Sequence, residues 1–146
     1  MMLDEVDKII INELMNNARK PFREIAKKAG ISDVAVIKRV RKLEREGVIK
    51  KYVTIVDLKA LGYEKASFTG INVKPEKLFD VAKILCEKEY IKYLAVTTGD
   101  HEILALILAK NAEELRRHHE EIKSIDGVVD VYPAILMEVL KEEIHI

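Results

Sequence analysis

The sequence predicts an α+β protein in which an N-terminal helix-turn-helix (winged) domain is joined to a C-terminal ferredoxin-like βαββαβ domain. Three observations lead to this prediction. Apolar residues recur at helical spacing in the first third of the chain, β-branched runs alternate with two helical segments after Gly62, and the charge differs between the two parts. We therefore divide the chain into a helix-turn-helix domain at 1–52, a connecting segment at 53–63 and a ferredoxin-like domain at 64–146.

Two helices are predicted before residue 31. Asp4 is placed to cap the first helix, with Asp7 three residues later, and apolar residues then follow a 3.6-residue period as far as Asn17. The second helix is predicted to begin at Pro21, which is tolerated in a first turn because that position needs no N–H donor. Gly30 ends this short helix.

The third helix follows a tight turn that contains Gly30, and it is the strongest functional feature of the sequence. Ser32 is placed as its N-cap, and the helix is predicted from Asp33 until Gly47 stops it. One face is apolar and is expected to pack on the first two helices, through Val36, Ile37, Val40 and Leu43. The opposite face is almost purely cationic, with Lys38, Arg41, Lys42 and Arg45 around Val34.

An apolar docking face behind a cationic wet face is what a DNA-reading helix needs, because phosphates and base edges both take donors. The alternative is a basic surface helix in a trihelical domain with no DNA role. We expect double-stranded DNA as the partner of this helix. The predicted DNA-binding residues are Ser32, Asp33, Val34, Ala35, Lys38, Arg39, Arg41, Lys42 and Arg45.

Charge supports a nucleic-acid partner for the first domain. The 146 residues carry 25 basic and 25 acidic side chains, but the two signs are distributed unevenly. Residues 19–51 hold 12 basic side chains against 4 acidic ones, a net charge of +8, so the remainder carries −8. A basic segment beside an acidic one indicates two modules, of which the first can meet a polyanion.

The second half alternates strands and helices. Residues 48–56 are rich in β-branched side chains and are predicted to form a strand or wing that leads into the connecting segment. After the connecting segment, the predicted strands are 66–73, 91–98, 102–109 and 128–140, and the predicted helices are 75–88 and 111–125. Both helices cover one face of an antiparallel sheet, yet the strands hold more apolar residues than one face requires. We expect a homodimer to cover the other face.

The whole chain resembles the Lrp/AsnC (feast/famine) family of transcription regulators. The matching elements in the first half are Leu3-Asp4 with Asp7, Asn17-Ala18-Arg19, Ile25-Ala26, Gly30-Ile31-Ser32, Val36, Arg39-Val40, Leu43-Glu44, Gly47-Val48-Ile49, Tyr52 and Leu61-Gly62-Tyr63. The resemblance implies a DNA-binding domain followed by an effector-binding and oligomerisation domain. It further implies a homodimer that assembles into a higher homo-oligomer, such as an octamer, and a small-molecule effector, an amino acid by class.

The resemblance also places an effector site at one turn. That turn follows the second predicted strand of the sheet and consists of Thr98, Gly99, Asp100, His101 and Glu102. Gly99 permits a backbone conformation that exposes N–H groups to an α-carboxylate, while Asp100 can accept from an α-ammonium. The family usually has an aromatic residue and then Asp after the Gly-Asp pair, where this chain has His101 and Glu102. A plain β-hairpin turn is the alternative.

Enzymatic chemistry has no support in the sequence. The sequence contains no phosphate loop, no nucleophile elbow and no Cys-His pair with an acid, so we expect no catalytic residue and no cofactor. His118 and His119 point about 100° apart on a helix, so we expect a solvated face and no metal site. Two alternatives remain. One is a tetrapyrrole (sirohaem-type) decarboxylase subunit, since some such enzymes resemble this two-domain architecture. The other is a protein that coats DNA without sequence preference.

Hydropathy and composition also predict where the protein is found and what kind of source it has. No run approaches the roughly 18–20 apolar residues of a membrane span, and residues 1–4 lack the pattern of a signal peptide, so we expect a soluble, cytoplasmic protein with no membrane partner. Cys86 is the single cysteine and is expected to be a core thiol. Lys and Glu are abundant and Gln is absent, a composition typical of thermophilic proteins.

Overall fold

A computed structural model describes residues 2–142, which form two compact units. The first unit ends at Ile55 and the second runs Val56–Glu142. This division falls inside the predicted connecting segment, so the assignment of residues 53–63 to a separate connector stays a prediction. Residues 143–146 of the predicted second domain lie outside the described part of the chain.

The first unit consists of three helices, α1 Glu5–Asn16, α2 Phe22–Ala29 and α3 Asp33–Arg45. The predicted caps are confirmed: Asp4 and Asp7 form a reciprocal capping box, and the Ser32 hydroxyl accepts from the N–H of Ala35 at 3.1 Å. Pro21 lies at the N-cap of α2 and not in its first turn, so that helix begins one residue later than predicted. Gly30 ends α2 in the left-handed conformation, with φ of 70°.

Apolar side chains from all three helices fill the core of this unit. The apolar face predicted for α3 is confirmed, because Val36, Val40 and Leu43 are buried. They pack with buried side chains of α1 and α2, namely Ile10, Leu14, Ile25 and Ala26. Burial of each large aliphatic side chain contributes about 1.5–3 kcal/mol, so this core is the main source of the unit's stability.

Acidic residues of α1 also hold the other helices in place. Glu13 is only 3% exposed, and its two carboxylate oxygens accept from the ammonium groups of Lys20 and Lys28. Hydrogen bonds from these lysines hold the pKa of the Glu13 carboxyl below its usual value. Lys20 and Lys28, which both belong to the basic segment, are therefore engaged within the protein.

The predicted strand or wing at residues 48–56 is wrong. The structure has a turn ending near Ile49 and then an irregular backbone through residues 50–57. β-branched side chains favour an extended backbone, but a strand forms only where a neighbour pairs with its N–H and C=O groups. Among the described residues none pairs with this segment, although the Tyr52 hydroxyl donates to Glu44 at 2.7 Å.

The second unit has the predicted βαββαβ order, with four strands and two helices. The strands are β1 Lys65–Val73, β2 Ile91–Val96, β3 Ile103–Ala109 and β4 Val128–Ile135, and the helices are α4 Leu78–Cys86 and α5 Ala112–Lys123. The sheet is antiparallel in the order β2-β3-β1-β4. A 3₁₀ turn, Pro75–Lys77, precedes α4, and β4 ends five residues before the predicted end of the last strand.

Both helices pack on one face of this sheet, called here the inner face. Alternate residues of β1 and β3 point into it, among them Ile71, Val73, Ile103 and Ile107, and meet Val81, Leu85, Leu115 and Ile122 of the helices. Cys86 is exposed, so the prediction of a core thiol is wrong. It follows Leu85 directly, and one helical step of about 100° turns it away from the sheet.

His118 and His119 are half-buried and partnered, which corrects the expectation of a solvated face. The His118 ring stacks on Tyr90 with centroids 3.8 Å apart. His119 reaches the inner face, where its Nε2 lies 2.7 Å from the hydroxyl of Thr69. The Thr69 hydroxyl is in turn 2.8 Å from that of Ser67, and both are fully buried. A chain of three polar side chains thus runs under α5.

The stability of the protein should fall as the pH drops below about 6.5, because burial lowers the pKa of both His118 and His119. The unfolded chain takes up protons at these rings before the folded state does, so the contribution is fully present above the unfolded pKa and is lost below it. Thermal unfolding followed between about pH 7.5 and 5.5 should show this decrease, at pH values above the range where carboxylates titrate.

His119→Gln keeps a hydrogen-bonding group near Thr69 and removes the titration, so it should weaken the pH dependence of the unfolding midpoint. The double variant His118→Gln/His119→Gln should weaken it further. A His119→Gln protein with the full pH dependence of the parent would contradict the assignment.

Candidate nucleic-acid interface and effector turn

The exposed face of α3 carries the predicted cationic stripe. Lys38, Arg41 and Arg45 follow Val34 at spacings of three or four residues and therefore lie on one side of the helix, with Lys42 beside them. All four cations are exposed. Val34, at the N-terminal end of the stripe, is 61% exposed although it is apolar. The helix thus presents four cations and one apolar side chain outward, and its apolar face is buried in the unit's own core.

Arg39 differs from the other basic residues of α3. Its Nη1 donates to Asp4 at 2.7 Å and to Asp7 at 2.9 Å, which ties α3 to the capping box of α1. The hydrogen bonds from Arg39 are the main reason that the pKa of Asp4 lies below its usual value. The predicted DNA contact of Arg39 finds no support in this geometry, because its guanidinium is already paired within the protein.

The effector turn predicted at 98–102 is a tight connection between β2 and β3. The N–H of Thr97 donates to the carbonyl of Glu102 at 2.9 Å, and the Thr97 hydroxyl donates to the carbonyl of His101 at 2.8 Å. Gly99 has φ of 98°, a conformation that favours glycine and that explains its place in the turn. Thr98, Gly99 and Asp100 are exposed. Their backbone and carboxylate groups are therefore accessible to a ligand.

His101 folds back over the sheet, on the face opposite the helices, called here the outer face. Its ring lies over Gly70, where a Cβ atom would come within 2.3 Å of the His101 Cδ2. Nδ1 is 2.9 Å from the side-chain oxygen of Asn72, and the ring centroid is 5.0 Å from that of Tyr132. The sequence analysis missed these three contacts, although a glycine in the middle of a strand is a recognised sign of close approach.

Glu102 also contacts the protein's own sheet, since its Oε2 accepts from the N–H of Val73 at 3.0 Å. This N–H lies at the irregularity where β1 and β4 change register. Of the five predicted effector residues, three are thus open to solvent and two are bound to β1 or lie over it. An effector role for any of them stays a prediction.

The outer face is apolar and is not covered by the described residues. Phe68 is 51% exposed at the centre of β1, and Tyr93, Leu104 and Tyr132 are exposed on the neighbouring strands. The strand register places them together, because Phe68 pairs with Leu106 and Gly70 with both Leu104 and Tyr132. This arrangement accounts for the excess of apolar strand residues in the sequence.

The described residues, 2–142, hold neither a metal-ligand cluster nor a membrane-spanning helix. No group of three or more potential ligands stands close enough to hold a metal ion. None of the helices within this range is long and apolar enough to cross a membrane.

A helix-turn-helix unit with an outward cationic helix, joined to a ferredoxin-like unit, defines a class of DNA-binding transcription regulators, and comparisons with known proteins agree. The family profile of the AsnC-type helix-turn-helix domain matches residues 3–44, and the profile of the Lrp/AsnC ligand-binding domain matches residues 66–146. The chain belongs to the Lrp/AsnC family of transcriptional regulators.

Relatives support both the family and the fold. The HTH-type transcriptional regulator LrpA of Pyrococcus horikoshii, from a thermophilic genus, is 48% identical over 141 residues, which are 96% of this chain and all of that protein. The structure of Escherichia coli AsnC has a TM-score of 0.89 at 26% identity, with 97% of each chain covered. A transcriptional regulator from Neisseria meningitidis, in complex with L-methionine, shares the fold with a TM-score of 0.90 at 17% identity, covering 97% of this chain and 94% of that one.

Proposed function

We propose that this regulator binds DNA with sequence specificity, assembles through its C-terminal sheet and responds to an amino acid or a related small molecule. The observation that carries the proposal is the cationic stripe of α3, whose four exposed cations make no ion pair within the described residues. Cations held by no intramolecular partner remain available to phosphates.

The position of a residue along α3 decides whether we expect it to contact bases or phosphates. Recognition helices contact base edges through their N-terminal residues, so Ser32, Val34, Ala35 and Lys38 are proposed to read bases. The exposed Val34 side chain suits a thymine methyl group. Arg41, Lys42 and Arg45 lie further along the helix and are proposed to contact phosphates. Asp33, at the start of α3, is within the same surface.

The exposed outer face favours a homodimer in which two sheets cover each other. An apolar patch that contains Phe68, Tyr93, Leu104 and Tyr132 is a typical interface in oligomeric proteins. Assembly of dimers into a higher homo-oligomer, such as an octamer, is part of the same proposal.

The effector proposal rests on the exposed turn and on the ligand-binding description that matches residues 66–146. An amino acid offers a carboxylate to backbone N–H groups beside Gly99 and an ammonium to Asp100. A ligand of this kind alters assembly only if the two assembly states bind it with different affinities, typically by about 1–3 kcal/mol.

Two other functions are distinguishable from this one. A tetrapyrrole decarboxylase on the same architecture has no need of an outward cationic helix, and the relatives are named transcriptional regulators. A coloured preparation that turns over a tetrapyrrole would favour the enzyme. A protein that coats DNA without preference would bind specific and random duplexes with equal affinity and the same salt dependence.

Substitutions on α3 test the DNA contacts. Lys38→Ala should relax sequence preference by about 1–3 kcal/mol at one base position, because it removes a base-edge donor. Arg45→Ala should weaken all duplexes about equally and reduce the salt slope by about one, because it removes one phosphate contact. Fluorescence anisotropy with a selected fragment and a random duplex measures both quantities. If both variants bind both duplexes like the parent, α3 is not the DNA-reading helix.

Phe68→Asp tests the assembly surface. A carboxylate at the centre of the outer face should prevent its burial against a second copy, so the protein should become monomeric at micromolar concentration. Phe79→Asp is the matched control, since Phe79 is 79% exposed on α4, at the other side of the sheet. Light scattering measures the size of each variant. An unchanged size for Phe68→Asp would place the interface elsewhere.

Asp100→Ala tests the effector turn. The substitution removes the proposed acceptor for an ammonium group and should abolish the response to amino acids, while DNA affinity stays near that of the parent. Calorimetry of the intact protein against the common amino acids identifies the ligand first. Absence of heat and of any change in oligomer size for all of them would mean that residues 98–102 are only a hairpin turn.

A further inference from the structure

A groove of about 400 Å³ lies between α5 and β4, at the edge of the sheet. It opens beside the inner face, whereas the 98–102 turn folds onto the outer face. The volume is within the usual range of small-molecule sites, about 300–1,000 Å³. Its apolar lining comes from both elements and consists of Ala112, Leu115, Val131, Pro133 and Ile135.

Charged side chains surround this apolar lining. Lys65, Arg116, Lys123 and Glu120 contribute to the groove. Arg116 forms ion pairs with Glu113 and Glu120, so these three groups largely satisfy one another. Lys65 and Lys123 form no ion pair with any described residue. The groove therefore offers, beside an apolar surface, two ammonium groups that have no acidic partner among residues 2–142.

The remaining lining residue, His119, is held rigidly by the fold. Its Nε2 is 2.7 Å from the Thr69 hydroxyl, which lies on the buried side of β1. This hydrogen bond fixes the imidazole between α5 and the sheet, so that end of the groove has a preformed shape. A preformed shape reduces the side-chain entropy that the protein loses when a ligand binds.

The sequence of β4 argues against a peptide strand as the occupant. Pro133 lies in the middle of this edge strand, opposite Thr69 of β1. A proline has no N–H to donate, and it is a common device by which an exposed sheet edge avoids pairing with another strand. A free amino acid is also poorly matched, because its ammonium would meet Lys65 and Lys123 while Glu120 is engaged by Arg116.

We propose that this groove binds a small aliphatic monocarboxylate that carries no amino group. Its carboxylate lies between the ammonium groups of Lys65 and Lys123, and its hydrocarbon covers Leu115, Val131 and Ile135. The site goes beyond the proposed amino-acid response and does not depend on it, because it shares no residue with the 98–102 turn.

Three compounds with one carbon skeleton test the chemistry. Methyl-labelled, full-length protein is titrated by NMR with 4-methylpentanoate, with 4-methylpentanamide and with leucine. The acid should shift the methyl signals of Leu115, Val131 and Ile135 and saturate. The amide lacks the charge and leucine adds an ammonium, so each should bind the groove at least about tenfold more weakly. Equal affinity of acid and amide, or shifts confined to the sheet around residues 98–102, would overturn the proposal.

Variants test the residues. Lys65→Gln/Lys123→Gln should weaken 4-methylpentanoate binding by about tenfold, whereas Lys92→Gln, on the opposite edge strand, should not change it. Ala112→Phe, which fills the groove, should abolish the same methyl shifts. Asp100→Ala should bind 4-methylpentanoate like the parent, even if it has lost any response to amino acids. Unchanged binding in the double lysine variant would contradict the site, with thermal unfolding confirming that each variant is folded.

Discussion

The four-stranded sheet is covered by its own helices on one face only, and this one-sidedness governs the C-terminal unit. The inner face is closed by α4 and α5 over Ile71 and Ile103, while the outer face leaves Phe68 exposed. Successive residues of one strand point to opposite faces of the sheet, because side chains alternate along a strand. Thr69 points inward to His119, and the next residue, Gly70, lies under His101 on the outer face. Contacts on the two faces of the sheet therefore involve adjacent residues of β1.

In the helix-turn-helix unit, the cationic side chains fall into two groups: some pair with acidic residues of the same unit, and others are exposed on α3. Glu13 of α1 pairs with Lys20 and Lys28, and Arg39 of α3 pairs with Asp7 of α1 and with its N-cap, Asp4. These pairs connect the three helices. The cations that remain on α3 all lie on the outward stripe. The net charge of a segment does not distinguish the two groups, since a lysine paired with a buried carboxylate counts the same as one in solvent. The distinction matters for function because only unpaired cations are available to displace counterions from a polyanion.

Local signals in the sequence predicted the elements well. The caps at Asp4 and Ser32 involve residues three apart in the chain, so their hydrogen bonds depend on few neighbours, and both are present. The apolar face of α3 follows from helical periodicity alone. Prediction failed where an element depends on a neighbouring strand. Residues 48–56 have strand-forming side chains, but no described strand pairs with them. Cys86 and His119 were misplaced because one helical step decides whether a side chain faces the sheet.

The sequence by itself determined the fold class, the order of the elements, the cationic face of α3 and the position of the 98–102 turn. Each depends on periodicity, capping or turn chemistry within a few residues, and a single chain displays these directly. Only the tertiary structure decided that Arg39 pairs with α1, that His101 lies over Gly70 and that a groove forms between α5 and β4. Arg39 and Asp4 are 35 positions apart, His101 is about thirty positions from Gly70, and the groove lies between two separate elements. These distances are set by how the elements pack, which no local pattern encodes.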